Sequence, residues 1–347
     1  MHFIHVESWI KSGGVGRGIF VFSFFKISLY NIMKSVLFIF FIFVLASTNF
    51  RLVTGSRGDQ DPIFQSCLTS CRQDNCKGPN PNNNLSFFLR LTLWSCSENC
   101  AYECMHRETN RRRNNHQEVL QYYGKWPFTR ILGITEPASV VFSVLNGYAH
   151  YHGFKRLQKE LPIKHFMVPF YLYNAAFGLN SWIWSIVYHT RDLPITEKLD
   201  YFAAGASIFY AVLYCILKTY ELYHGRIAAF LGISLLIGYG FHIRYLLSTP
   251  RFDYSYNIMI TAGIGIFQNI LWLMWSIRNW KTRPHAYKMT GIVIALITAM
   301  SLEIFDFAPI MELDAHALWH AATIPIIFKF YDFLIEDTKW ELVHGLQ

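Results

Sequence analysis

From Ile134 onward the chain alternates long apolar runs with short polar ones. Seven runs stand out: Ile134 to Ala149, Phe166 to His189, Asp200 to Leu217, Ile227 to Leu247, Asn257 to Ser276, Met289 to Phe305, and Ala315 to Leu334. Each approximates the roughly 20 residues that cross a bilayer as a helix, the first and sixth being the shortest. Pro162, Pro194, Pro250, Pro284 and Pro309 fall between runs, where a fixed φ and a missing N–H interrupt helices. The pattern predicts an all-α membrane protein: a seven-transmembrane helix bundle over residues 131–337, with a cytosolic tail at 338–347.

Upstream the pattern changes twice. Residues 1–55 form an amino-terminal extension in which Met33-Lys34-Ser35 precedes the apolar run Val36 to Ala46. A basic start followed by a short apolar stretch reads as a secretory signal. Translation then begins either at Met33 or at Met1. The alternative is an uncleaved signal anchor, although the run is short for a span. Residues 56–130 are polar and hold six of the seven cysteines: Cys67, Cys71, Cys76, Cys96, Cys100 and Cys104. An even count behind a signal predicts a small disulfide-rich lumenal domain. Six cysteines allow fifteen pairings, and a zinc knuckle is the competing reading. Cys215, alone in the third run, is expected to be packing. Asn84-Leu85-Ser86 is a glycosylation sequon and suits a lumenal loop.

Composition agrees with the membrane reading. Of 347 residues, 52% are hydrophobic and 16% charged, against roughly 25% charged in soluble domains. The net charge of +8 does not imply a nucleic-acid partner, because the basic residues lie mainly between apolar runs, where they set orientation. Lys155, Arg156, Lys159 and Lys164 mark the first loop as cytosolic, and Arg278, Lys281, Arg283 and Lys288 mark the fifth. The second and sixth loops carry little positive charge and are read as lumenal. Arg130 runs against the rule, but a long translocated segment largely escapes it.

This orientation gathers the chemistry. His316 and His320 stand four apart at the start of the last run, so both imidazoles share one helical face, about 6 Å apart along the axis. Ser185 and His189 repeat the spacing at the lumenal end of the second run, and Asp200 opens the third. All five fall at one membrane depth. A histidine pair on one face with a third at the same depth suits a transition metal, and intramembrane ionisable residues are usually functional. A lone histidine at a helix end is more often an interfacial or hydrogen-bonded group, the reading given to His150, His152, His224, His242 and His285.

Longer motifs carry a resemblance. Asn180-Ser181-Trp182-Ile183-Trp184-Ser185-Ile186-Val187-Tyr188-His189-Thr190-Arg191-Asp192, Thr196-Glu197-Lys198-Leu199-Asp200-Tyr201, and Asp314-Ala315-His316-Ala317-Leu318-Trp319-His320-Ala321-Ala322-Thr323-Ile324-Pro325 resemble the Per-like family. The cysteine-rich segment resembles that family's lumenal domain, and the likeness covers roughly Gly58 to Lys339. The family belongs to the CREST superfamily of heptahelical hydrolases, whose pattern of Ser-x-x-x-His, Asp and His-x-x-x-His is matched by Ser185, His189, Asp200, His316 and His320. The resemblance implies zinc-dependent removal of the sn-2 unsaturated acyl chain from the lipid of GPI-anchored proteins, so that a saturated chain can replace it. It implies zinc on His189, His316 and His320, with one open position for a water. Asp200 would move that water's proton and Ser185 would hydrogen-bond the water or the developing oxyanion.

Glu136, Ser139, Asp306 and Asp314 are candidates for partners that orient the ligands. Expected partners are GPI-anchored proteins, their lipid moiety and membrane lipids. The expected location is the Golgi membrane, with the endoplasmic reticulum as alternative. Three other functions compete: a heptahelical lipid receptor with structural zinc, a trafficking factor for GPI-anchored cargo, and a ceramidase-like amidase.

Overall fold

The computed structural model describes residues 56–249, 252–305, 307–310 and 313–345. The signal-like run, both candidate start methionines and Asp306 lie outside the described residues. The described residues of Val53–Asp253 and Ile264–Gln347 form one compact unit, which contains the site. Tyr254–Gly263 belongs to a second unit and is helical. Among the described residues there are helices and isolated bridges but no strand.

The cysteine-rich segment is a helical hairpin. Helix α1 (Pro62–Asn75) starts at Asp61, whose carboxylate accepts from the backbone N–H groups of Ile63 and Phe64, with Pro62 in the first turn where its missing N–H costs nothing. After the short α2 (Phe87–Leu91), α3 (Cys96–Asn114) opens on a capping box between Ser95 and Glu98. Cys96, Cys100 and Cys104 recur every fourth residue and so share one face of α3. They meet Cys76, Cys71 and Cys67 in reverse order, giving the disulfides Cys67–Cys104, Cys71–Cys100 and Cys76–Cys96. A mirrored ladder of this kind requires antiparallel helices. It also removes the zinc-knuckle reading, because every cysteine in the segment is oxidised.

Phe64, Leu68, Leu120 and Tyr122 complete the hairpin's small core. Arg112 reaches across from α3 to Asp61 at 2.7 Å. Burial works to raise the Asp61 carboxyl, but Arg112 and the cap hydrogen bonds hold it below the ordinary carboxylate range. Asn84 lies exposed in a 3-10 turn. A core this small depends on its cross-links, each worth typically 2–4 kcal/mol. The expected result is that thiol labelling of unreduced, denatured protein reaches Cys215 but none of the other six cysteines. Six reactive thiols in the segment would remove the ladder.

Among the described residues seven long helices follow: α4 (Pro137–Glu160), α5 (Val168–Thr190), α6 (Pro194–Thr219), α7 (Gly225–Ser248), α8 (Tyr254–Asn279), α9 (Ala286–Phe305) and α10 (Ala315–Val343). They stand where the seven apolar runs predicted helices. Among the described residues, four helices (α6, α7, α8 and α10) are long and apolar enough to cross a membrane, and α9 has a shorter apolar stretch, Ala286–Leu302. That fits a membrane protein. Helices α4 and α5 fall below this measure; both are long, but Asn146, His150, His152 and Asn174 interrupt their apolar sequence. Helix α10 continues unbroken to Val343, so the boundary drawn at 338 falls inside a helix.

Helix α4 packs against both α5 and α10, α5 against α6, α6 against α7, and α9 against α10. Two glycines permit this closeness. A side chain at Gly178 of α5 would enter the His150 ring of α4, and one at Gly153 of α4 would enter the Tyr331 ring of α10. His150 Nδ1 and the Tyr331 hydroxyl lie 2.7 Å apart, which makes His150 a hydrogen-bonded group rather than an interfacial one.

The end of the bundle that includes the last turns of α6 and α10 is locked by buried ions. Lys218 of α6 pairs with Asp337 and Glu341 of α10, and Arg283 from the α8–α9 link pairs with the same two carboxylates at 2.7 and 3.0 Å. His285 adds a contact to Asp337 at 2.8 Å. Asp337 stands seventeen residues beyond His320 on α10, about 25 Å along the axis. This cluster is therefore remote from the histidines and fixes the far ends of the helices.

Candidate metal centre

Three helices bring the histidines together. His189 is in the last turn of α5; His316 and His320 occupy the first two turns of α10. Asp314 caps α10 by accepting from Ala317 N–H at 2.8 Å, which aims the turn carrying His316. Helix α4 supplies the wall behind both sets. Asn146 donates to the His320 carbonyl at 2.7 Å and accepts from Thr323. Pro325 sits in the next turn, where it lacks an N–H and loosens the backbone ladder of α10.

The rings converge. The centroids of His189 lie 5.1 Å from those of both His316 and His320, and those of His316 and His320 lie 4.4 Å apart. One nitrogen from each ring lies within 4.8 Å of the others. The Nε2 atoms of His189 and His316 are 3.4 Å apart. Two ligands on one tetrahedral zinc at about 2.0–2.1 Å would stand about 3.3–3.4 Å apart, so the spacing fits that metal.

In His189 and His320 the other ring nitrogen is engaged. His189 Nδ1 lies 2.7 Å from Glu136 Oε2. His320 Nδ1 lies 3.1 Å from Ser143 Oγ. With Nδ1–H donating in both rings, each Nε2 keeps its lone pair toward the cluster, which is what a metal ligand requires. The glutamate bond fixes more than the ring: Glu136 N–H donates to the His189 carbonyl at 3.0 Å.

Ser143 carries the pattern one step further. Its Oγ lies 3.0 Å from Ser185 Oγ. If Ser143 accepts from His320, its own proton is directed to Ser185, leaving the Ser185 hydroxyl proton free to serve the site. Asp200, in the second turn of α6, is half-buried and near enough to His316, Lys125 and Glu136 to interact with their charges. Ser185, His189, His316, His320, Glu136 and Ser143 are thus placed together, with Asp200 within charge range, Ser139 one turn before Ser143 on α4, and Asp314 as the cap of α10.

Two contributors carried no sequence signal. Ser143 is one small residue in an apolar run and acts on partners 42 and 177 positions away. Lys125 lies in the connector before the bundle and ion-pairs with Glu136 at 2.5 Å and Asp192 at 3.0 Å. Burial works against its charge, but Glu136, Tyr188 and Asp192 hold the ammonium well above its ordinary range.

Comparison with known proteins gives the family. Residues 86–338 match the model of the Per1-like family. The chain belongs to that family. Its relatives include the Protein PER1 homolog of Schizosaccharomyces pombe, 40% identical over 318 residues that cover 88% of this chain and 94% of the relative. They also include two proteins named GPI-specific phospholipase A2-like PGAP3. The one from Homo sapiens is 37% identical, covering 86% of this chain and 94% of its own; the one from Xenopus tropicalis is 37% identical, covering 84% and 93%. The family match takes in all three histidines, Ser185 and Asp200, and starts inside the cysteine-rich segment, after Cys76. No solved structure matches the chain.

Proposed function

We propose that this chain remodels GPI anchors by hydrolysing the sn-2 acyl ester of the GPI lipid with the help of zinc. The carrying observation is the convergence of three histidines, two with Nδ1 engaged and His189 and His316 with Nε2 atoms at a tetrahedral spacing. The relatives named GPI-specific phospholipase A2-like support the substrate class.

His189, His316 and His320 would hold the ion. Zinc would supply Lewis acidity and lower the pKa of a water toward about 7. Asp200 Oδ accepts the proton that water loses as its oxygen joins the acyl carbon, and returns it to the glycerol oxygen as the ester bond breaks. The products are a free fatty acid and a lyso-lipid, ready for a saturated chain. The Ser185 hydroxyl, oriented through Ser143, donates to the oxygen on which negative charge develops. Glu136 and the Ser143 hydroxyl keep His189 and His320 in the tautomer with free Nε2.

The supporting arrangement is a disulfide-rich domain at 56–130 on the lumenal side, seven spans within 131–337, and a cytosolic end after 338, in the Golgi membrane rather than the endoplasmic reticulum. The histidines then lie near the headgroup boundary, where an sn-2 ester lies. The test is mass spectrometry of GPI lipids from cells lacking this protein, before and after its return. Saturated sn-2 chains should appear only with the protein. Anchors that are identical in both would overturn the proposal; zinc binding without lipid turnover would favour a receptor.

A further inference from the structure

Lys125 lies outside every apolar run, in the stretch that leads from the disulfide hairpin to α4. Its surroundings give it a specific task. We propose that Lys125 is a positioning residue of the metal centre: a fixed cation, supplied by the cysteine-rich domain, that holds the Glu136 carboxylate so that His189 presents Nε2 to His316 and His320. The inference rests on reading those histidines as metal ligands.

Glu136 is 5% exposed. A carboxylate this deep needs compensating charge and a donor for each oxygen. Oε2 faces His189 Nδ1 at 2.7 Å, and Oε1 faces Lys125 Nζ at 2.5 Å. Rotating the carboxylate would break both contacts at once. Among the described residues, Lys125 is the one lysine or arginine ion-paired with it. Without that charge the carboxylate would draw in water and turn from the imidazole, and the His189 ring would lose its orientation.

Lys125 is itself held at two ends. Toward the bundle, its Nζ lies 3.0 Å from Asp192 and 4.3 Å from the centre of the Tyr188 ring, residues that flank His189. Toward the hairpin, its backbone exchanges hydrogen bonds with Tyr122 at 2.8 and 2.9 Å. Tyr122 is buried in the hairpin core, its ring 4.9 Å from that of Phe64. A continuous set of contacts therefore runs from the disulfide hairpin through Tyr122, Lys125 and Glu136 to His189. A second strap lies beside it: Arg191, two residues past His189, stacks over Trp94 at 4.3 Å and pairs with Glu98 of α3 at 2.6 Å. The cysteine-rich domain is thus a part of the metal centre, since it fixes one of the three ligands.

The experiment measures zinc affinity of the purified full-length chain by competition with a chelator. Lys125→Met is expected to lower affinity about 10–100-fold, the usual cost of losing an outer-shell partner. Lys125→Arg, which keeps the charge, should recover most of it. Lys125→Met combined with Glu136→Gln should bind no more weakly than Glu136→Gln alone, because both act along one path. Exposed Lys77→Met should bind as wild type does. Thermal unfolding and thiol blockage report whether each variant has folded; if Lys125→Met has not, Asp192→Asn reads the same path by loosening the anchor of Lys125. Wild-type affinity in Lys125→Met, alongside a loss in His316→Ala, would overturn the positioning role and leave the metal reading intact. A wild-type chain that binds no zinc would overturn both. A loss that Lys125→Arg does not recover, with the hairpin thiols exposed, would mean that Lys125 only supports the fold.

Discussion

His316→Ala is expected to release zinc and abolish ester hydrolysis while leaving the chain folded. In the proposed site, removing one protein ligand of three would take away a bond to the ion, so affinity should fall by more than the 10–100-fold that an outer-shell change costs. His316 is the cleanest of the three to remove. His189→Ala would strip the buried Glu136 carboxylate of a partner, and His320→Ala would leave Ser143 facing a void. Such orphaned buried groups cost about 1–3 kcal/mol or more and would confuse lost metal with lost fold. His316 is only half-buried, and Asp314 still caps the helix without it. Metal analysis of the purified variant, with its melting temperature, is the measurement. Zinc content equal to wild type in a folded His316→Ala chain would dismiss the three-histidine site.

What could be read from the sequence divides along a physical line. Apolar runs with prolines between them located the seven helices, because the period and length of an apolar face are local properties. Helix ends were less legible. Helix α4 runs eleven residues past Ala149 to Glu160, since Arg156 and Glu160 pair with each other and with Asp332 and Lys339 of α10 and keep the polar turns helical. Spacing also placed His316 with His320 and Ser185 with His189, as partners one turn apart on a helix face. Loop charges then put both pairs and Asp200 at one membrane depth, and the family resemblance supplied their roles.

The cysteines show where such reading stops. Their four-residue spacing in α3 fixes which face they share, but the pairing depends on the direction in which α1 crosses it, and that is set by tertiary packing. Ser143 and Lys125 mark a harder limit. Each works through partners brought close only by folding, and a single serine or lysine has no period to betray it.

Replacing Asp200 with Asn is expected to separate binding from chemistry. Asparagine keeps the size of the side chain and one acceptor, but it cannot take up the proton that water must lose. Asp200 is not among the three histidine ligands, so zinc should remain while hydrolysis falls by about 10²–10⁴-fold, the usual contribution of a positioned general base. Ser185→Ala removes a hydroxyl that Ser143 orients, and the loss of an oxyanion-type donor costs about 10²–10³-fold in rate. Both variants should fold and retain metal, because neither change removes a ligand or charges the core. Cells that lack the wild-type chain and carry either variant should therefore keep unsaturated sn-2 chains on their GPI anchors, read by mass spectrometry of the lipids. Saturated anchors restored by Asp200→Asn to the wild-type level would remove Asp200 from proton transfer. Normal transport of GPI-anchored cargo in the same silent variants would mean that escort and lipid remodelling are separable activities of one chain.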